Sequence, residues 1–444
     1  MTVPADDTCV NRRAAMAFAI RAASAAIAYL SHLLLARWLS LENYGLFAAT
    51  WTWLLIAGGT LPLGLNVAVV SRLPGYIAAA DAARARGLAA TAVGLTFIVS
   101  GVVSAVAIAL ITWQPAVIQG ALGPLALLAV LLLPLLALGE VNEGLSRAMG
   151  WMGTALVPAY IVRPLLMLAA AGLLLMRGYE LDAAAVLACA LLAAVATTMA
   201  QTAWVAFNLL KATGWGPPRL TVRTWMFVSL PMLASEICEM LLSSMDLLLV
   251  AAWLGASETG VYFAAQRSIA LVAFVSFAVG AATASSIAGA IADKQRLSNE
   301  IRYAATLSFW PTLAGALVLV GAAPLILGLF GSRFTEGTAI VAILAVGFVA
   351  RSATGPAELV LYAIGAERAC AAILGVHLAL GLALNAALIP AFGIVGAAVA
   401  TAATMVSLSI AFAAYCWVAR GIVMLPSSPL PQFGRFARAV RRAA

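Results

Sequence analysis

The sequence predicts an all-α polytopic membrane protein with about twelve transmembrane helices in two parallel six-helix repeats. Three observations carry that expectation: an apolar excess, arginines confined to alternate connections, and an internal repeat at a constant offset. Of 444 residues, 64% are hydrophobic and 9% charged, and the mean hydropathy is +1.05. Soluble domains carry roughly 25% charged residues, so this chain has too little polar material to cover a globule. At about 20 apolar residues per crossing, it suffices for about twelve spans.

The apolar stretches run over 14–38, 45–71, 88–112, 121–141, 154–176, 183–210, 225–254, 260–290, 303–323, 338–363, 370–391 and 394–419. The seventh and eighth exceed one bilayer thickness, which predicts tilt or kinks. The first continues past the length of a signal-peptide core and reads as a retained span. With the N-terminus in the cytoplasm, the inner segments hold Arg12, Arg13, Arg72, Arg84, Arg86, Arg147, Lys211, Arg219, Arg223, Lys294, Arg296, Arg302, Arg368 and Arg420. The outer side keeps Arg37, Arg177 and Arg333. That asymmetry follows the positive-inside rule and predicts a multi-pass protein with both termini cytoplasmic; the bias to arginine over lysine and to alanine suggests a bacterial source and so a bacterial inner membrane.

The expected organisation is a first six-helix lobe at 1–210, a cytoplasmic linker at 211–224 (KATGWGPPRLTVRT), a second lobe at 225–419 and a basic tail at 420–444. In the tail, Phe433, Phe436 and Val440 share one helical face, which predicts an amphipathic segment lying on the anionic inner leaflet. Several chemistries are excluded. The two lysines, Lys211 and Lys294, do not follow a glycine, so no P-loop is present. His32 and His377 are too far apart for a zinc helix, and the five cysteines form no C-x-x-C pair. No metal, cofactor or nucleic-acid partner is expected. Short outer connections and the lack of a D-x-D pair argue against an enzyme.

Sliding the sequence on itself gives a repeat at an offset of 215, with Trp38-Leu39-Ser40 on Trp253-Leu254-Gly255 and Gly45-Leu46-Phe47 on Gly260-Val261-Tyr262. The same offset pairs Glu143 with Glu358, Gly150 with Gly365 and Gly178 with Gly393. Six spans per repeat place both halves in the same orientation, related by an axis along the membrane normal, with a site near the midplane. This is transporter architecture.

Charges inside spans are costly and mark candidate sites. In the first span Arg21, Ser24, Ala28, Ser31 and His32 form one helical stripe; in the seventh, Glu236, Glu239, Ser243 and Asp246 do the same, and the repeat superposes the two. Either both stripes line a water-filled cavity, or Arg21 and Glu236 pair and lock the lobes together. Arg267 beside Gln266, and Arg351 seven residues before Glu358, are further candidates. Arg163 precedes Pro164, where a freed carbonyl is a possible partner. Glu140 and Glu143 read as an inner-gate pair at the end of the fourth span, with Arg147 one turn on. His377 and Asn385 read as helix–helix hydrogen bonders.

The segments LLLARWLSLENYGLFA (33–48), MDLLLVAAWLGASETGVYFAAQ (245–266) and ALNAALIPAFGIVGAAVATAAT (383–404) resemble the polysaccharide biosynthesis flippases, including O-antigen flippases, of the multidrug/oligosaccharidyl-lipid/polysaccharide exporter (MOP) superfamily. The resemblance implies a two-lobed, MATE-like transporter that moves a polyprenyl-pyrophosphate-linked oligosaccharide, an O-antigen or exopolysaccharide unit, to the outer leaflet by alternating access. Related lipid II flippases carry cavity arginines in the first and eighth helices, and Arg21 and Arg267 resemble them. Arg351 joins them as a cavity candidate. Ser24, Ser31, Asn66 and Gln266 are the candidate sugar partners, and Glu236, Glu239, Asp246 and Glu358 the candidates for coupling to an H⁺ or Na⁺ gradient or for gating. A glycan polymerase and glycosyltransferases are the implied partners. Two features depart from the lipid II flippases: two further C-terminal helices are lacking, and the seventh span is acidic. The alternative is a MATE-type cation-coupled drug antiporter.

Overall fold

The computed structural model describes residues 7–113 and 122–428, with side chains described from Ile20 onward except at several positions within Ala256–Gly289. Among the described residues every regular element is helical. The first repeat contains Asp7–Trp38, the broken pass Leu41–Thr60 and Leu65–Ala78, Ala82–Trp113, Gly123–Ala148, Met152–Val157 running through a π turn into Arg163–Met176, and Ala183–Thr213. The second contains Val222–Trp253, Ala256–Gly289, Lys294–Phe330, Thr338–Ala353 followed by Ala357–Ala363, and Glu367–Arg420, which breaks at Gly393. Among the described residues that makes twelve helical passes. Eight of the helical segments, one of them the interrupted Glu367–Arg420, are long and apolar enough to cross a membrane.

The offset seen in the sequence governs the backbone. Asp7–Trp38 and Val222–Trp253 are both 32 residues long and start and end 215 residues apart. Gly150 and Gly365 close corresponding turns at φ 74° and 73°, and Gly178 and Gly393 separate corresponding passes at 83° and 60°. A side chain in that left-handed region costs roughly 1–2 kcal/mol, which is why glycine recurs at these offsets. Helix starts are set locally: Ser40 Oγ accepts from Asn43 N at 3.2 Å, and Asp182 Oδ1 from Ala185 N at 2.7 Å.

Several limits differ from the expected ones, and three of the differences bear on the site or its surroundings. The second pass is interrupted at Leu61–Gly64, where Leu63 and Gly64 have φ 55° and 73°; the LPLG sequence is apolar enough to hide the break from hydropathy. The fourth pass ends at Ala148 rather than 141, so Glu140 and Glu143 lie inside it instead of at its end. The ninth runs over Lys294–Phe330, longer than 303–323.

The chain divides into two compact units, Met1–Met240 and Leu241–Ala444. In the first, Trp225 is packed among Leu65, Val69, Leu88, Val141 and Leu145, and its Nε1 donates to the Tyr76 hydroxyl at 3.1 Å. The linker is fastened along Ala82–Trp113: Arg86 Nη1 donates to the carbonyls of Thr213 (2.7 Å) and Gly214 (2.9 Å), and Arg219 N to Ala83 O (2.9 Å). In the second unit residues 421–428 are non-helical and strapped to the equivalent helix, Lys294–Phe330, with Trp310 Nε1 donating to Ser427 O at 3.0 Å and Ser427 N to Thr306 Oγ1 at 2.9 Å. The amphipathic face expected at 432–444 lies outside the described residues.

Trp215 in the linker is 88% exposed and Tyr179, between the fifth and sixth passes, 62% exposed. With the five native cysteines replaced, a membrane-impermeant maleimide applied to intact cells is expected to label Tyr179→Cys at once, and Trp215→Cys only after permeabilisation. The reverse pattern would invert the topology.

Candidate functional site

The first unit builds a polar cavity from one helix face. In Gly123–Ala148, Glu140, Glu143, Gly144 and Arg147 follow a 3–4 spacing and share a side. The glycines set how closely neighbours approach. Gly144 lies against the Asn66 backbone, and a methyl at Gly139 would stand 3.1 Å from Arg163 Nη2. The break at Leu61–Gly64 starts a new helix whose first turn delivers Asn66 to this face. Asn66, Glu140, Glu143, Arg147, Tyr160 and Glu236 line a cavity of about 330 Å³, wholly within Met1–Met240.

Glu143 organises the charges. Its carboxylate is buried and paired with Arg147, and Arg21 Nη2 lies 3.7 Å from the same Oε1. The Arg21 guanidinium sits over the Tyr160 ring, 4.2 Å from its centroid, and the side chain keeps a quarter of its surface exposed. Cation–π contact holds the guanidinium in place without using its hydrogen-bond donors. Glu236 Oε1 accepts from Asn66 Nδ2 at 3.0 Å, while its buried Oε2 has no hydrogen-bond partner. The structure thus gives Arg21 to Glu143 and Glu236 to Asn66. Glu239, three residues further on, is exposed.

Other sequence candidates are placed differently. Arg163 is buried, and its Nη2 donates to Thr198 Oγ1 at 3.4 Å on the next pass, not to a carbonyl freed by Pro164. The π turn at Pro158–Val162 immediately precedes it. Ser24 and Ser31 donate to Arg21 O (2.8 Å) and Ile27 O (2.7 Å) of their own helix, which leaves their oxygens as acceptors. His377 Nδ1 contacts Ile373 O at 2.8 Å, and Asn385 Nδ2 donates to Gly381 O at 2.8 Å. Both are therefore bonded within their own helix, correcting the expectation of helix–helix bonds; back-bonding one turn away needs no neighbour.

In the second unit Asp246 is buried in a hydrogen-bonded core. It accepts from the Tyr262 hydroxyl (2.6 Å), the Thr401 hydroxyl (2.9 Å) and Leu247 N (2.8 Å). Gln266 Nε2 points to the same carboxylate at 3.5 Å. Arg351 is paired with Glu358 and donates to Thr354 Oγ1 at 3.3 Å. Arg267 lies over the Phe263 ring, 4.5 Å from its centroid. Glu143 and Glu358, equivalent in the repeat, each hold a guanidinium. Sequence reasoning missed Tyr160 and Thr401. A tyrosine between Pro158 and Pro164 was the available signal for the first; for the second, one threonine in an Ala/Thr-rich run carries none.

No protein-family model matches the sequence, and no curated protein matches it. Solved structures do. An inward-facing multidrug-resistance MATE family transporter of the MOP superfamily aligns with TM-score 0.74 at 16% identity, over 90% of this chain and 94% of that one. A MOP-superfamily transporter from Pyrococcus furiosus Vc1 aligns with TM-score 0.66 at 16% identity over 94% and 96%. An outward-facing MATE transporter gives 0.62 at 15% over 94% and 97%. The chain has the two-lobe fold of the MOP-superfamily transporters. At these identities the likeness concerns the fold, and in that fold the Arg21–Glu143 site belongs to the first lobe.

Replacing Glu143 by Gln leaves two guanidiniums facing a neutral partner. Leaving a buried polar partner unmet costs about 1–3 kcal/mol, so the Glu143→Gln protein is expected to melt below the parent in detergent. In a double-mutant cycle with Arg21→Gln, the double variant should lose less than the two singles combined. Strictly additive losses in thermal unfolding would mean that the 3.7 Å pair stabilises nothing.

Proposed function

We propose that the chain is a secondary transporter that moves a polyprenyl-pyrophosphate-linked oligosaccharide across the bacterial inner membrane by alternating access. The observation that carries this reading is the state of Arg21. Its carboxylate contact is loose, and Glu143 already has a closer partner in Arg147. Arg21 can therefore exchange that contact for a phosphate oxygen without leaving Glu143 unpaired. A guanidinium binds phosphate bidentately and strongly where water is scarce, and stacking on Tyr160 pre-orients it. Within the other unit, Arg267 is held in the same way, stacked on Phe263. The polyprenyl tail stays in lipid throughout.

The chain contains no P-loop, so direction comes from an H⁺ or Na⁺ gradient or from consumption of product outside. Glu236 is the coupling acid, because its Oε2 is buried with no hydrogen-bond partner and is free to take a proton or a cation. Glycosyltransferases acting before transport and a polymerase acting after it are the fitting partners.

A second reading has its own observation. Glu140, Glu143 and Glu236 converge on one cavity, an arrangement that also suits an organic cation, and several structural neighbours are MATE multidrug transporters. Proteoliposomes separate the two. With a fluorescent short-chain polyprenyl-pyrophosphate glycan, wild type is expected to deliver the glycan to the opposite leaflet, and Arg21→Ala to slow delivery at least about tenfold, the loss of one charge-assisted hydrogen bond of about 1.5–3 kcal/mol. Arg21→Lys should recover only part, since an ammonium lacks the fork. No glycan delivery by wild type, with a cationic dye transported by wild type and not by Glu236→Gln, would establish the antiporter; undiminished glycan delivery by Arg21→Ala would remove Arg21 from the substrate site.

A further inference from the structure

On the other side of helix Gly123–Ala148 lies a second pocket, separate from the acidic cavity. It has a volume of about 390 Å³ and is enclosed between this helix, Ala82–Trp113, Ala183–Thr213 and the linker, all in the first unit. Ala89, Val93, Val205 and Leu209 make its walls, and Arg86 and Asn142 are its main polar groups. Ligand pockets of about 300–1,000 Å³ are typically apolar with a few placed polar groups.

Both polar groups are incompletely satisfied. Asn142 is 1% exposed; its Nδ2 donates to Thr202 Oγ1 at 2.7 Å, but its buried Oδ1 has no hydrogen-bond partner. Arg86 spends Nη1 on the carbonyls of Thr213 and Gly214 and Nη2 on that of Pro217, while its buried Nε has no acceptor. Unmet buried groups of this kind are unfavourable, so the pocket favours an occupant that meets them. An occupant that relieves both must offer one acceptor and one donor on an otherwise apolar body.

The surroundings select among such occupants. Arg84, Lys211, Arg219 and Arg223 lie at this end, and the nearby acid, Asp81, is taken by Arg84 at 3.4 Å. Asn142 lies six residues before the end of its helix, roughly 9 Å at 1.5 Å per residue, the depth of a lipid's polar and glycerol region. Exposed Ala90, Ala206 and Trp215 form the rim, so the pocket opens to the outside of the helices.

We propose that this pocket is a binding site for an anionic phospholipid of the inner leaflet with a hydroxylated head group, of the phosphatidylglycerol type. The phosphodiester accepts from Arg86 Nε–H, a head-group hydroxyl donates to Asn142 Oδ1, and an acyl chain lies along the apolar wall. Because Trp215, Gly216 and Pro218 of the linker are part of the pocket lining, the bound lipid also steadies the inter-lobe linker. The site does not depend on what the transporter carries.

The test uses the full-length protein in detergent, titrated with phosphatidylglycerol, phosphatidylcholine and phosphatidic acid and read by native mass spectrometry and by melting temperature. Phosphatidylglycerol should be retained about tenfold better than phosphatidylcholine, a difference of about 1.4 kcal/mol, and should raise the melting temperature. Ala206→Trp fills the pocket from its exposed rim and should abolish both effects; Asn142→Leu should weaken retention and bring phosphatidylglycerol down to the level of phosphatidic acid. Equal retention of all three lipids by wild type would overturn the proposal, as would undiminished phosphatidylglycerol binding by a folded Ala206→Trp protein. These readouts are binding and melting, so a failed glycan-transport assay leaves them unaffected.

Discussion

A charge at the centre of a membrane span costs about 2.5–3.5 kcal/mol on insertion scales, and this chain places several arginines inside its passes. Each is met by a specific partner. Arg21 and Arg147 share Glu143, Arg351 has Glu358, Arg267 lies on Phe263 and Arg163 reaches Thr198. The rest of the first unit is arranged around that requirement. Gly139 and Gly144 thin two different sides of Gly123–Ala148, one beside the Arg163 guanidinium and the other beside the Asn66 backbone, and the interruption at Leu61–Gly64 aims Asn66 at Glu236. Packing of this kind leaves the interior unusually polar for a span, and that polarity makes the cavity.

The two repeats share a scaffold but not a charge pattern. Helix limits, turn glycines and the Glu143/Glu358 pair recur at one offset, whereas Arg21 corresponds to Glu236 and Ser31 to Asp246. Backbone geometry is constrained by the repeated turns, so it is kept. Side chains that face a cavity are free to diverge, and exchange of a base for an acid at one position turns two equal lobes into two chemically distinct ones.

Much of this was legible in the sequence because it depends on local or periodic features. Apolar runs, the constant offset and the glycines at 150, 178, 365 and 393 report backbone directly. The pair Glu143 with Arg147, one turn apart, follows from helical spacing alone, whereas Arg351 and Glu358 meet across the break between Thr338–Ala353 and Ala357–Ala363, so their seven-residue spacing named the pair without describing its geometry. Contacts between helices did not follow. That Arg21 meets Glu143, or Glu236 meets Asn66, depends on how each helix is rotated about its axis, and an Ala/Leu-rich surface fixes that weakly in sequence. His377 and Asn385 failed for a different reason: a polar side chain in a span can satisfy itself on its own helix, and sequence does not distinguish that from a neighbour's carbonyl.

The acidic stripe of the seventh pass shows what such information adds. Glu236 and Asp246 lie ten residues apart on one helical face, and in sequence they form a single surface. In the structure they belong to different units. Asp246 receives two hydroxyls and a backbone N–H, with Gln266 close by; its acceptor capacity is taken up in holding the second unit together. Glu236 has one bond, to Asn66, and a second oxygen without a partner beside a cavity shared with two other carboxylates. A coupling ion needs an acid with a vacant acceptor next to the site where substrate charge is exchanged. Glu236 meets both conditions and Asp246 meets neither, so the two acids that look alike in the sequence divide into one proposed to work and one that holds the core.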